Sequence, residues 1–210
     1  MPPTLIVTND LPAAAERLFL DIAPITLVLA GGATPRPIYQ RLAELQYDWR
    51  AVQVFFTDER CVPREHPDSN YRMAYETLLG KVPARAYPFP ADDDWYSYEL
   101  LLHQLFDDLE APPFDLAFMG LGADGHTASL FPGDAALDIT HRWVARVLRA
   151  GHTRLTLTLA GLAGTRHAVF LVSGADKRDA LRRVLAGEDL PPNRVHAQHS
   201  TILADPAAAP

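Results

Sequence analysis

The chain has 210 residues, 48% of them hydrophobic and 21% charged, a balance that excludes an extended disordered protein and fits a globular one. At about 150 residues per domain this length predicts a single domain over 1–210, large enough to bury roughly 70% of its unfolded surface without staples. The net charge of -7, from 19 basic and 26 acidic residues, argues against nucleic acid as a partner, because displacing counterions from phosphates needs a basic face.

Cys61 stands alone, so no internal disulfide forms and a reducing, cytoplasmic setting is expected. Met1–Asp10 has no basic stretch before an apolar run, unlike a secretory signal. Ile22–Ala33 is too short to span a bilayer, so no membrane partner is expected.

In chain order, Thr4–Val7 reads as a strand and Ala13–Leu20 as a helix. Ile25–Ala30 is an almost continuously apolar strand, the pattern of a parallel strand covered on both faces. It runs into Gly31-Gly32-Ala33-Thr34-Pro35, where paired glycines allow close backbone approach to a ligand. Thr34 is expected to cap the helix that follows, with Pro35 in its first turn, and N–H groups there would favour phosphate. Such a turn is also an ordinary strand-to-helix connection. Ile38–Leu45 continues as helix.

Val52–Thr57 is the next strand, ending in Asp58-Glu59-Arg60. In open α/β sheets ligands bind beyond the carboxyl ends of strands, and period two puts Asp58 and Arg60 on one side with Glu59 facing away. A solvated strand end fits equally well. Asp68-Ser69-Asn70 reads as a cap, and nothing more, for a helix over Tyr71–Leu79. Pro83–Asp94 reads as a loop, with Asp92, Asp93 and Asp94 solvated, and Tyr96–Leu109 as a helix.

Asp115–Met119 is a strand opening onto Gly120-Leu121-Gly122-Ala123-Asp124-Gly125-His126. These residues match G-x-G-x-x-G, but a dinucleotide fold is rejected, because Pro132-Gly133 interrupts the helix that should follow. What remains is a glycine loop presenting Asp124 and His126, and histidine can serve as base and then acid. Arg154–Leu159 alternates polar and apolar, a strand with one open face. Ala168–Val172 is a strand followed by Ser173-Gly174-Ala175-Asp176-Lys177 and a helix over Asp179–Leu185. Lys177 near a helix start opposes the macrodipole and suggests a compensating anion. His196 and His199 lack the carboxylate or cysteine pattern of a metal site, and Cys61 reads as an inert thiol. The segment after Leu203 is expected to fray. Strands alternating with helices make this an α/β fold with a mainly parallel sheet and helices on both faces.

Taken together, AGGATP at 30–35, TDERCVP at 57–63 with Ser69-Asn70, GLGADGHTASLFP at 120–132, RLTLTL at 154–159 and SGADK at 173–177 resemble the 6-phosphogluconolactonase family. They follow the family's order over about residues 25–185, and DGHTASLFP is the most specific block. Ala30 and Ala33 stand where the family usually has serine. The resemblance implies the sugar-phosphate isomerase/deaminase fold and hydrolysis of 6-phospho-D-glucono-1,5-lactone, the second step of the oxidative pentose phosphate pathway. It implies His126 as the proton-transfer group, with Asp58 or Asp124 orienting it. Gly31, Gly32, Ala33, Thr34, Arg60, Arg154 and Lys177 would hold the phosphate. No metal or organic cofactor is needed when water attacks an already activated acyl group. The expected partner is the small lactone, with the protein a monomer or small homo-oligomer. Alternatives on a similar fold are an amino-sugar phosphate deaminase or isomerase, and a non-catalytic sugar-phosphate sensor.

Overall fold

A computed structural model of the chain describes residues 3–106, 109 and 112–210. Ten strands are seen among them: β1 (Thr4–Val7), β2 (Thr26–Leu29), β3 (Gln53–Phe56), β4 (Asp58–Arg60), β5 (Arg85–Ala86), β6 (Leu116–Gly120), β7 (Val144–Arg149), β8 (His152–Leu157), β9 (His167–Val172) and β10 (His199–Ala204). The helices are α1 (Leu11–Ile22), α2 (Arg36–Leu42), α3 (Asn70–Ala74, continued by a π turn over Tyr75–Leu79), α4 (Trp95–Leu105), α5 (Leu159–Leu162), α6 (Arg178–Leu185) and α7 (Pro191–Arg194).

Seven strands form one parallel sheet in the order β1-β10-β9-β6-β2-β3-β5. All four residues of β2 are buried, as are the first four of β6 and the last five of β9, so both faces of the central strands are covered. That double burial is why these segments read as unbroken apolar runs. From β2 the chain winds to β3 and β5 on one side, whereas β6, β9 and β10 lie on the other. The reversal leaves a crevice beyond the carboxyl ends of β2 and β6, the usual ligand position in such sheets.

A second sheet, β4-β8-β7, is antiparallel. Thr57 joins the two: its N–H donates to the Leu29 carbonyl of the parallel sheet (2.9 Å), and its own carbonyl accepts from Leu157 N–H (2.8 Å). The chain therefore leaves the large sheet at the end of β3 and enters the small one within a single residue.

At the opposite end of the parallel sheet, Asp115 pins the strand starts together. One oxygen accepts from the N–H groups of Ile25 and Thr26 and from the Thr26 hydroxyl, each at 3.0 Å, and the other accepts from Arg166 at 3.0 Å. Burial acts to raise its pKa, but these donors outweigh it and hold the carboxyl below its ordinary 3.8.

Several sequence expectations shift at their ends or fail. The helix expected over Tyr96–Leu109 stops at Leu105, and residues 107 and 108 lie outside the described residues. The strand read at Arg154–Leu159 is β8, which begins two residues earlier and stops at Leu157 because Thr158 caps α5. The loop over Pro83–Asp94 contains β5, and Asp94 is not merely solvated but accepts from Ser97 N–H as the cap of α4. Asp93 pairs with Arg146 at 2.8 Å. Neither β7 nor β10 is among the strands expected from the sequence. The segment after Leu203 is not frayed: Leu203 and Ala204 are buried in β10, between β1 and β9, and Ala208 is buried beyond it.

Asp115→Asn should lower stability by about 1–3 kcal/mol at neutral pH, the cost of leaving buried donors poorly paired. Because the folded pKa is depressed, this contribution is present above pH 3.8 and fades as pH falls through the folded-state value. Urea unfolding at a series of pH values should show the wild-type advantage shrinking below about pH 4.

Candidate active site

One cavity of about 390 Å³ lies in the crevice at the strand reversal. It gathers the turn after β2, the end of β6 with its glycine loop, β4, β8 and the turn after β9. Gly31, Gly32, Ala33, Thr34, Asp58, Arg60, His126, Arg154 and Lys177 all line it. Asp124 does not, but it touches His126.

The β2 turn is placed from below by Tyr39 of α2, whose buried hydroxyl donates to the Ala30 carbonyl at 2.9 Å. Among the described residues, no protein acceptor takes the main-chain N–H groups of Gly31, Gly32, Ala33 or Thr34. Thr34 is not the helix cap that its sequence position suggested. The chain makes one more turn, Arg36 N–H to the Ala33 carbonyl at 3.3 Å, and α2 starts at Arg36 with Pro37 inside its first turn. A side chain on Gly31 would put its Cβ 1.9 Å from the side-chain Oδ1 of the buried Asn70, so the glycine suits the packing of α3 against the turn.

On β4 the expected alternation holds. Glu59 faces away and is buried at the start of α3, where it accepts from Asn70 N–H (2.7 Å), Tyr71 N–H (2.8 Å), the Ser69 hydroxyl (3.1 Å) and Arg60 N–H (2.8 Å). Desolvation raises its pKa despite these donors. Asp58 and Arg60 face the cavity. Asp58 accepts from the Ser129 hydroxyl at 2.6 Å, the Thr57 hydroxyl at 3.0 Å and Asn70 Nδ2 at 3.4 Å. Arg60 donates from Nη1 to the Asp68 carbonyl at 2.7 Å and sits opposite Arg154 in the β4–β8 register. Among the described residues, the buried Nε of each arginine has no protein acceptor. Burial, and then the neighbouring Arg60 guanidinium, lower the pKa of Arg154.

The glycine loop after β6 builds a carboxylate–imidazole pair. Asp124 Oδ1 lies 2.5 Å from His126 Nδ1 and also accepts from the His126 N–H at 3.2 Å. Burial would raise the Asp124 pKa, but these bonds and the histidine's charge bring it below the ordinary value. With Nδ1 engaged, Nε2 is the nitrogen available for proton transfer. Of the two carboxylates left open by the sequence, Asp124 is the one in contact with the imidazole; Asp58 is committed to Ser129, Thr57 and Asn70. The ring also packs on Phe131, with centroids 4.6 Å apart, and crosses so close over Gly122 that a Cβ there would fall 2.0 Å from Nδ1.

Lys177 ends the short 3-10 turn Ala175–Lys177 after β9 and pairs with Asp176 at 3.0 Å. Part of the compensating anion expected near it is thus its own neighbour.

The sequence motifs contain Asn70, Ser129, Ser173 and Asp176 but assign none of them a part in the cleft. Asn70 reads in sequence as part of a cap, yet it is buried, lines the cavity and donates to the Asp58 carbonyl at 2.8 Å. Its place within a cap motif hid a second task that no local pattern reveals. His199 stacks on His167 at the amino ends of β9 and β10, with ring centroids 4.7 Å apart. Burial, together with nearby Asp93, pushes the Cys61 thiol up to about 11, which fits the inert reading.

A cationic cleft carrying a carboxylate-held imidazole, at the reversal of a parallel sheet, is the site of an α/β enzyme. The model of the family described as glucosamine-6-phosphate isomerases/6-phosphogluconolactonase matches residues 7–204, and the chain belongs to that family. It is 42% identical over 194 residues to the 6-phosphogluconolactonase of Synechocystis sp., covering 87% of this chain and 78% of that one. It is 31% identical over 206 residues to the 6-phosphogluconolactonase of Thermotoga maritima, covering 93% and 90%. The solved structure of the Trypanosoma brucei 6-phosphogluconolactonase superposes with a TM-score of 0.84 at 27% identity, over 98% of this chain and 97% of that one. A monomeric glucosamine-6-phosphate deaminase shares the fold, with a TM-score of 0.83 at 21% identity over 99% and 98%.

Gly122→Ala should displace the imidazole while leaving the sheet intact. Turnover should fall about 100-fold, the order of a lost proton-transfer group, with an unfolding midpoint within a few degrees of wild type. Steady-state kinetics beside thermal unfolding checks both halves.

Proposed function

We propose that the chain hydrolyses 6-phospho-D-glucono-1,5-lactone to 6-phospho-D-gluconate, with His126 as base and then acid. The observation that carries this reading is a single cavity shared by an Asp124-held imidazole and two adjacent arginines whose buried Nε groups lack protein acceptors among the described residues. Two cations side by side in a partly buried cleft repel each other, and a phosphate near its dianionic state at pH 7 relieves that repulsion.

In this mechanism the phosphate is held by Arg60, Arg154 and Lys177 and by the main-chain N–H groups of Gly31, Gly32, Ala33 and Thr34. Anchoring that end places the lactone carbonyl beside His126. Nε2 takes a proton from water as its oxygen bonds to C1. Collapse of the tetrahedral adduct breaks the bond from C1 to the ring oxygen, and the imidazolium returns its proton to that departing alkoxide. Asp124 keeps Nδ1 protonated and stabilises the imidazolium. Asp58, held by three donors, faces the sugar and accepts from its hydroxyl groups. The proposed enzyme is a single cytoplasmic domain, a monomer or small homo-oligomer, that engages no nucleic acid.

Purified protein added to freshly generated lactone should accelerate acid release over the spontaneous background; no acceleration would refute the reading. His126→Ala should lower kcat by about 10²–10⁴ with KM little changed. Arg154→Ala should raise KM roughly 10- to 100-fold for the phosphorylated lactone, as expected for one charge-assisted bond. The same change should leave the unphosphorylated lactone unaffected, and equal losses on both would remove Arg154 from the phosphate site.

A further inference from the structure

The loop carrying Lys177 is held from outside the cavity by the segment after β10. Asp205 continues the pairing of β10 with β9 by donating its N–H to the Val172 carbonyl at 3.1 Å. One carboxylate oxygen accepts from the Ser173 hydroxyl at 2.6 Å and Gly174 N–H at 3.1 Å. The other accepts from Gly174 N–H at 3.2 Å and Ala208 N–H at 2.7 Å. Gly174, gripped by both oxygens, has φ 99°, and its carbonyl accepts from Lys177 N–H at 3.0 Å. On the far side of Lys177, Arg178 donates to the Ala207 carbonyl at 2.9 Å. Both ends of the lysine-bearing turn are therefore tied to residues 205–208, and Ala208 is buried. Burial would raise the Asp205 pKa, but its hydroxyl and N–H donors bring it below the ordinary value, so these bonds are made by a carboxylate at neutral pH.

Ser173, Asp176 and Lys177 line the cavity; Asp205 does not. We infer that Asp205 is a positioning residue for substrate affinity: it fixes the 173–177 turn so that Lys177 is set for the phosphate before substrate arrives. The inference rests on the proposed contact between Lys177 and the phosphate. Preordering the turn during folding removes that entropy cost from binding, so loss of Asp205 acts on KM through Lys177 rather than on proton transfer at His126.

The test is a double-mutant cycle of Asp205→Ala and Lys177→Met, measured on 6-phosphoglucono-1,5-lactone and on unphosphorylated glucono-1,5-lactone. Asp205→Ala should raise KM about tenfold for the phosphorylated lactone, with kcat within about twofold and the unphosphorylated substrate unaffected. In the Lys177→Met background it should add nothing further. Asp205→Asn should restore most of the affinity, because its amide oxygen can still accept from Gly174 and Ala208 while the Ser173 hydroxyl turns to accept. If Asp205→Ala fails to fold, Arg178→Ala takes its place in the same cycle, with a smaller rise in KM and the same non-additivity. Additive effects, equal losses on both lactones, or an unchanged KM in the Asp205 variant while Lys177→Met raises it would overturn the inference alone. An unchanged KM in Lys177→Met would instead overturn the phosphate contact on which it rests.

Discussion

The departure of the chain from its parallel sheet at Thr57 is the constraint on which the cleft depends. A strand that continued straight past Phe56 would carry Asp58 and Arg60 out along the sheet. Thr57 instead gives its N–H to Leu29 in one sheet and its carbonyl to Leu157 in the other. That exchange turns β4 into an antiparallel pair with β8, which brings Arg154 opposite Arg60. The parallel sheet contributes the loops at its strand ends, and the small sheet supplies a cationic wall facing them.

This arrangement gathers positive charge in one cleft of a chain whose net charge is -7. Local charge, not the total, sets the field inside a cleft with low-dielectric walls. Arg60 and Arg154 are neighbours in register, and their side chains are held by β-strand backbone rather than by a mobile loop. Burial, and after it the nearby Arg60 charge, lower the pKa of Arg154, and the two sheets hold both cations in place against their repulsion. Asp58 offsets part of it, and Asp58 is itself fixed by Ser129 of the glycine loop. The glycine loop therefore positions two parts of the cleft, Asp58 through Ser129 and the imidazole through Asp124.

The sequence resolved the central strands well, because β2, β6 and β9 are buried on both faces and must be apolar at every position. It resolved β7 and β10 poorly. β7 carries the exposed Arg146, Leu148 and Arg149, which break its alternation, and β10 begins with His199, Ser200 and Thr201, which dilute the apolar signal. The fraying expected after Leu203 failed because backbone pairing with β9, and the carboxylate of Asp205, hold a segment that is otherwise only Ala and Pro.

By itself the sequence determined the α/β class, the glycine turns after the strands, and several of the residues that line the cleft. These are local properties: apolar runs, period-two alternation, and glycines where a backbone or ring must pass closely. Only the tertiary structure decided which carboxylate meets the imidazole. Asp124 is two residues from His126 and Asp58 is far from it along the chain, but either could have reached the ring; the choice depends on Ser129 and Asn70 claiming Asp58 from other elements. It also decided that Asn70 and Asp205 serve the cleft. Their partners come from distant segments, and contact across the chain is fixed by packing, which no window of sequence contains.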